Sequence, residues 1–193
     1  MSEGRRYHVG DLPGRLLREA RGMLDEGGLK ALNLRALAAR AGITAGSMYH
    51  HYDSKTALLG ELAANGFKEL RLDLDRASRD AGEGRRVRAW AMAYVGFARR
   101  ERALFGLMFD DEIAQAAAVA EARAAALDTL RQLVSGFVGD RQLDDATLQN
   151  VTTAIWAATH GAASLAGTWP DRPDLVDEVI AGLDALFRGA QRG

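Results

Sequence analysis

The side chains of this 193-residue sequence best suited to specific chemistry fall in one short segment, Leu34 to Lys55. Arg35, Thr44, Ser47, Tyr49 and His50 carry cationic or hydrogen-bonding tips, and Ala45 and Gly46 stand among them with almost no side chain. Polar tips around a small-residue patch are what a helix needs to bring its backbone close to base edges in a DNA major groove. Lys55 adds a cation in what reads as the first turn of a helix, where it opposes the macrodipole at a cost of about 0.3–1 kcal/mol. A DNA phosphate shared by that helix end and Lys55 removes the cost. The bland alternative is a solvated Lys55, histidines that merely end a helix, and Tyr49 at the edge of a core.

Other chemistries find little support. The absence of cysteine excludes disulfides, thiolate metal sites and thiol nucleophiles. The four histidines, His8, His50, His51 and His160, cannot be paired into a site by spacing, and no phosphate loop or His-Glu-x-x-His pattern occurs. No catalytic residue, metal or cofactor is therefore expected; the one enzymatic alternative is His160 as a general base in an all-α pocket. The formal net charge of −1 argues against nucleic acid only until it is divided along the chain. Through Thr56 there are nine Lys/Arg against six Asp/Glu, a surplus of +3, and the remainder is −4. The opening residues show no apolar export segment, so a cytoplasmic protein is expected.

The elements that must position these residues read as helices throughout. Prolines number three, alternating β-branched runs are missing, and apolar residues recur at helical spacing. The expected series begins with Leu12 to Glu26, stopped by Gly27-Gly28, then Leu34 to Ala41, Ala45 to His51, and a long helix from a Ser54 cap to about Arg79. Arg85 to Arg100, a short Leu104 to Phe109 piece, Asp111 to about Phe137, Asp144 to Thr168 and Pro173 to Arg188 follow, about nine helices in all. The division expected is a DNA-binding domain over 1–54 and an effector-binding and dimerisation domain over 55–193.

Within the first domain, Ala38 sits where two short helices must cross closely, and Gly42, four residues on, supplies the positive φ of a tight turn. Leu37, Ala41, Ile43 and Met48 then face inward, leaving Arg35, Thr44, Ala45, Gly46, Ser47, Tyr49 and His50 outward. The run Leu34-Arg35-x-Leu37-Ala38-x-x-Ala41-Gly42-Ile43-Thr44-x-Gly46-Ser47-Met48-Tyr49-His50-His51-Tyr52-x-Ser54-Lys55-x-x-Leu58-Leu59 resembles the N-terminal signature of the TetR/AcrR family of bacterial transcriptional regulators, with Tyr52 where the family more often has Phe. The resemblance implies a helix-turn-helix with Thr44, Ala45, Gly46, Ser47 and His50 near base edges, Tyr49 and Lys55 on phosphates and Arg35 at the groove edge. It also implies a homodimer, a double-stranded DNA operator with pseudo-palindromic half-sites, and repression relieved by a small-molecule effector.

From Ala146 to Pro170 there is no charged residue in twenty-five positions, yet the segment is too polar for a membrane span. On a helical wheel Thr152, Trp156, His160, Ala163 and Gly167 share one face, suited to a cavity wall; Ala154, Ala158, Gly161 and Leu165 share the other, suited to a dimer interface. The Trp156-Ala-Ala-Thr-His160-Gly161 phrase resembles the TetR branch with a Trp-x3-His-Gly pattern. By that likeness the last two helices form a four-helix bundle across a dimer axis, adding Val179, Leu183 and Leu186 to the interface. The effector site is then enclosed by Trp90, Tyr94, Phe97, Leu104, Met108, Phe137, Trp156 and His160. An apolar or aromatic effector follows from such a lining. The alternative is a helical ligand-binding or interaction protein whose helix-turn-helix is only structural.

Overall fold

Asp11 starts the first helix of the computed structural model, its Oδ1 accepting the Gly14 N–H at 3.2 Å. The structure describes residues 11–82, 84–138, 143–168 and 174–190, with the side chains of 137–138, 167–168, 184 and 186–190 left aside. Among the described residues are nine α-helices and no strand. They are α1 (Leu12–Ala31), α2 (Leu34–Arg40), α3 (Ala45–His51), α4 (Lys55–Asp80), α5 (Arg86–Arg100), α6 (Arg102–Met108), α7 (Ala117–Val138), α8 (Asp145–Thr168) and α9 (Leu175–Ala190). No described helix is long and apolar enough to cross a membrane.

Two boundaries differ from expectation, each for a local reason. The first helix does not end at Gly27-Gly28: Gly28 leaves helical geometry at φ 67°, ψ −170°, and one more turn follows to Ala31. That kink delivers Leu32 into the core, fully buried. The helix expected from Asp111 is interrupted as well. Asp110 Oδ1 accepts the N–H groups of Glu112 and Ile113 at 3.1 and 3.2 Å, holding a turn that becomes 3₁₀ over Ile113–Gln115 and buries Ile113. Extended Ala116 separates this turn from α7.

The α2–α3 turn has the geometry its spacing predicts. Gly42, at φ 66°, lets Ile43 N–H reach Ala38 O at 3.0 Å and its own N–H reach Ala39 O at 3.1 Å, a Schellman closure. Asn33, Thr44 and Ser54 cap α2, α3 and α4 by accepting the N–H three residues on. Helix α4, 26 residues or about 39 Å long, is the shared wall. Leu58, Leu59, Leu62 and Phe67 belong to its first half, and Leu70 and Leu74 to the second; all are buried. Helix α6 crosses it at Gly66, where a Cβ would stand 2.8 Å from Met108 Sδ and 2.9 Å from Leu104 Cδ2.

Gly66→Val is expected to push α6 off α4 and destabilise the fold by about 1–3 kcal/mol, read as a lower urea midpoint. Gly42→Ala forces a Cβ into the left-handed region at a cost of about 1–2 kcal/mol, read the same way.

Candidate nucleic-acid interface and aromatic chamber

Met48 is fully buried and Tyr52 nearly so, and these two anchors fix which face of α3 looks outward. Tyr52 also donates its hydroxyl to Glu61 Oε2 of α4 at 2.7 Å, and burial raises its pKa. Arg35, Thr44, Ala45, Gly46 and His50 are exposed, Ser47 is half-buried, and Tyr49 is 51% exposed, large for an aromatic ring. Apart from Ser47, the outward set read from the sequence is thus at the surface, on α2, the turn and α3. The Thr44 hydroxyl oxygen is already occupied by the Ser47 N–H at 3.1 Å, which fixes its rotamer at the leading end of α3.

Lys55 is placed differently from the simple expectation. It is half-buried, and its Nζ donates to Leu29 O at 2.9 Å. That carbonyl lies in the last turn of α1, beyond the Gly28 kink, where a cation is electrostatically favoured. The charge surplus of the head is also largely internal. Arg18 pairs with Asp11, Arg40 with Glu19 and Glu26, and Arg21 with Asp25, Glu69 and Glu101. The Arg40 pairing lowers the Glu26 pKa. Arg35 and Lys30 are exposed and in no ion pair among the described residues, while His8 lies outside them.

The residues expected around an effector fall into two groups. Phe97, Leu104 and Met108 are fully packed core; Leu104 and Met108 sit against Gly66. Trp90, Tyr94, Trp156 and His160 come together between α5 and α8, and the side chain of Phe137 lies outside the described residues. The Tyr94 hydroxyl is their hub: Trp156 Nε1 donates to it at 3.3 Å and His160 Nδ1 lies 2.9 Å away. In the neutral tautomer protonated at Nε2, Nδ1 accepts the Tyr94 hydroxyl proton while the phenol oxygen accepts from Trp156. Burial lowers the His160 pKa, favouring the neutral ring that this bond needs.

Phe105 and Phe109 complete the cluster, with ring centroids 5.6 and 4.4 Å from that of His160. Sequence reasoning left them out of the site, although their i, i+4 spacing in Leu104-Phe-Gly-Leu-Met-Phe109 was the available signal. Beside the cluster, a cavity of about 10 Å³ has Trp90, Tyr94 and Trp156 in its wall, room for about one water. A metabolite-sized occupant requires that wall to move.

The two faces of α8 differ in exposure at some positions and not at others: Trp156 and His160 are half-buried. Thr152 and Ala163 are buried, and Thr152 and Thr159 satisfy their hydroxyls on the carbonyls of Leu148 and Ile155, each at 2.8 Å. Ala154 and Leu165 are exposed and Ala158 and Gly161 half-buried, alongside half-buried Val179 and Leu183 of α9. The Gly167 and Leu186 side chains lie outside the described residues.

Three comparisons bear on this arrangement. Residues 16–62 match the family described as bacterial regulatory proteins, tetR family, and residues 87–183 match a tetracyclin repressor-like C-terminal domain. The latter description does not name the Trp-x3-His-Gly branch. The HTH-type transcriptional repressor KstR2 of Mycobacterium tuberculosis is 47% identical over 49 residues, 25% of this chain and 24% of that relative. The match thus spans about a quarter of the curated relative's length. Over nearly the whole chain, the structure of a protein of unknown function from Rhodococcus sp. RHA1 superposes with a TM-score of 0.79 and 32% identity, covering 96% of this chain and 98% of that one. The transcriptional regulator FadR of Bacillus subtilis, solved in complex with stearoyl-CoA, shares the fold at a TM-score of 0.69 and 14% identity, covering 90% and 97%.

Because the folded-state pKa of His160 lies below the unfolded value of 6.5, the unfolded chain binds more protons in the window between them. Stability is therefore undiminished by His160 above that window and falls as the pH drops through it. The urea midpoint of the native protein is expected to drop more between about pH 7.5 and about pH 5.5 than that of His160→Gln.

Proposed function

The chain belongs to the TetR family of bacterial regulatory proteins, and from that premise we propose that it is a ligand-responsive homodimeric repressor reading a pseudo-palindromic operator. The observation that carries the reading is the exposed face of α3, small at Ala45 and Gly46 and polar around them, held out by buried Met48 and Tyr52. One such module of seven helical residues touches few base pairs, so two copies are needed for selectivity, with half-sites about 34–36 Å apart. The exposed Ala154 and Leu165 with Val179 and Leu183 supply the proposed dimer face, joined by Ala158, Gly161 and Leu186. Residues 1–54 are assigned to DNA and 55–193 to effector and dimer.

In this reading Thr44, Ala45, Gly46, Ser47 and His50 approach base edges, while Arg35, Tyr49 and Lys55 hold phosphates. The aromatic chamber of Trp90, Tyr94, Trp156 and His160 takes an apolar or aromatic effector; a neighbour of the same fold solved with stearoyl-CoA supports the helical body as a place for such ligands. Effector binding displaces the chamber wall against α4, whose first residue carries Lys55, and so changes the separation of the two α3 helices. Coupling of this kind amounts to about 1–3 kcal/mol. Repression agrees with the named relative, and the regulator works in the cytoplasm, where its operator is.

A second reading, a helix-turn-helix that is purely structural, draws on one observation: Lys55 already has an internal partner in Leu29 O. Selection of bound duplexes from a random pool separates the two, since a regulator yields a palindrome and a structural module yields none. Lys55→Ala is expected to weaken specific and nonspecific duplexes alike and lower the salt slope by about one. An unchanged slope with reduced stability assigns Lys55 to the Leu29 carbonyl alone. Arg35→Ala, which disturbs no internal ion pair, lowers the slope by about one without changing stability.

A further inference from the structure

We propose that the cavity beside the aromatic cluster takes an organic acid, its apolar body inward and its carboxylate on Arg123; the proposal rests on reading the helical body as an effector domain. The cavity has two unlike sides. Phe67, Leu70 and Leu74 of α4, Trp90 and Tyr94 of α5 and Ala126 of α7 form the inner wall, none more than 3% exposed. Arg123 and Leu127 of α7 and Trp156 of α8 form the outer side, all half-buried. The blind end is therefore apolar, and widening proceeds from the side where three side chains already meet solvent.

The polar atoms of the inner wall are spoken for. Trp90 Nε1 donates to Thr129 Oγ1 at 2.9 Å, and the Tyr94 hydroxyl lies between Trp156 and His160. An occupant with polar groups deep in the cavity would lose hydrogen bonds to water and find none in exchange. Arg123 is the charged residue of the lining. The positions three and four away on α7 are Val119, Ala120, Ala126 and Leu127, so its own helix offers it no carboxylate. No ion pair among the described residues includes Arg123, whereas half-buried Arg21 and Arg71 each have acidic partners. Arg123, on the outer side of this apolar cavity and in no ion pair among the described residues, carries a planar donor fork matched to a carboxylate.

The test uses the intact full-length protein with the fluorescent acid dansylaminoundecanoate and its uncharged methyl ester. The native protein is expected to bind the acid about tenfold more tightly than the ester. Arg123→Gln abolishes that preference and leaves ester binding as it was, and Arg123→Lys retains part of it. Equal affinity of the native protein for acid and ester, or an acid preference that survives in Arg123→Gln, overturns the proposal while leaving an apolar effector chamber intact. Binding of neither probe overturns the proposal together with the effector reading beneath it.

Discussion

The approach of α6 to α4 at Gly66 is the constraint on which the arrangement depends. With no Cβ there, Leu104 and Met108 lie directly on the α4 backbone, and α6 is held at a fixed height along that helix. The corner that begins α6 carries Glu101, which pairs with Arg21 of α1 and with Arg100, itself bonded to Asp73 of α4 at 2.5 Å. Helices α1, α4 and α6 thus close a triangle with apolar packing on one side and ion pairs on the other. The helix-turn-helix unit is attached to the body at more than the α3–α4 corner, since α1 packs on both α4 and α6.

That attachment explains how charge is used in the head. A surplus of +3 suggests a diffuse basic surface, but Arg18, Arg21 and Arg40 spend their charge on acids of α1, α4 and the α5–α6 corner. Such pairs fix the geometry of partly exposed helices more than they add stability. On the proposed reading, what remains for phosphates is local: exposed Arg35, the Tyr49 hydroxyl and the remaining donors of Lys55. On that same reading, binding through so few groups gives a modest electrostatic attraction, and selectivity depends on the spacing of two α3 helices.

The chamber in the body follows a different rule. Tyr94, Trp156, His160 and Trp90 are large side chains with polar atoms, and buried polar atoms need partners. They find them in one another and in Thr129: both indole N–H groups and the Tyr94 hydroxyl are bonded, and the adjoining cavity is apolar. The pairing is between helices 62 and 66 residues apart in sequence. No spacing rule within a helix reveals it. Phe105 and Phe109 were overlooked for the same reason: an i, i+4 aromatic pair is legible as a helical face, but what that face touches is not.

The sequence by itself determined the helices and the starts of several of them. The caps at Asn33, Thr44 and Ser54, the turn at Gly42 and the outward face of α3 are local consequences of residue type within a few positions, and the structure places each of them there. The tertiary structure decided the rest. Only packing of distant segments could give Lys55 the carbonyl of Leu29, continue α1 past Gly28 to bury Leu32, close α6 on Gly66 and set Arg123, in no ion pair among the described residues, beside an apolar cavity. Local hydrogen bonds are set by spacing along one chain segment; partners and cavities are set by which surfaces meet, and that is a property of the whole packed molecule.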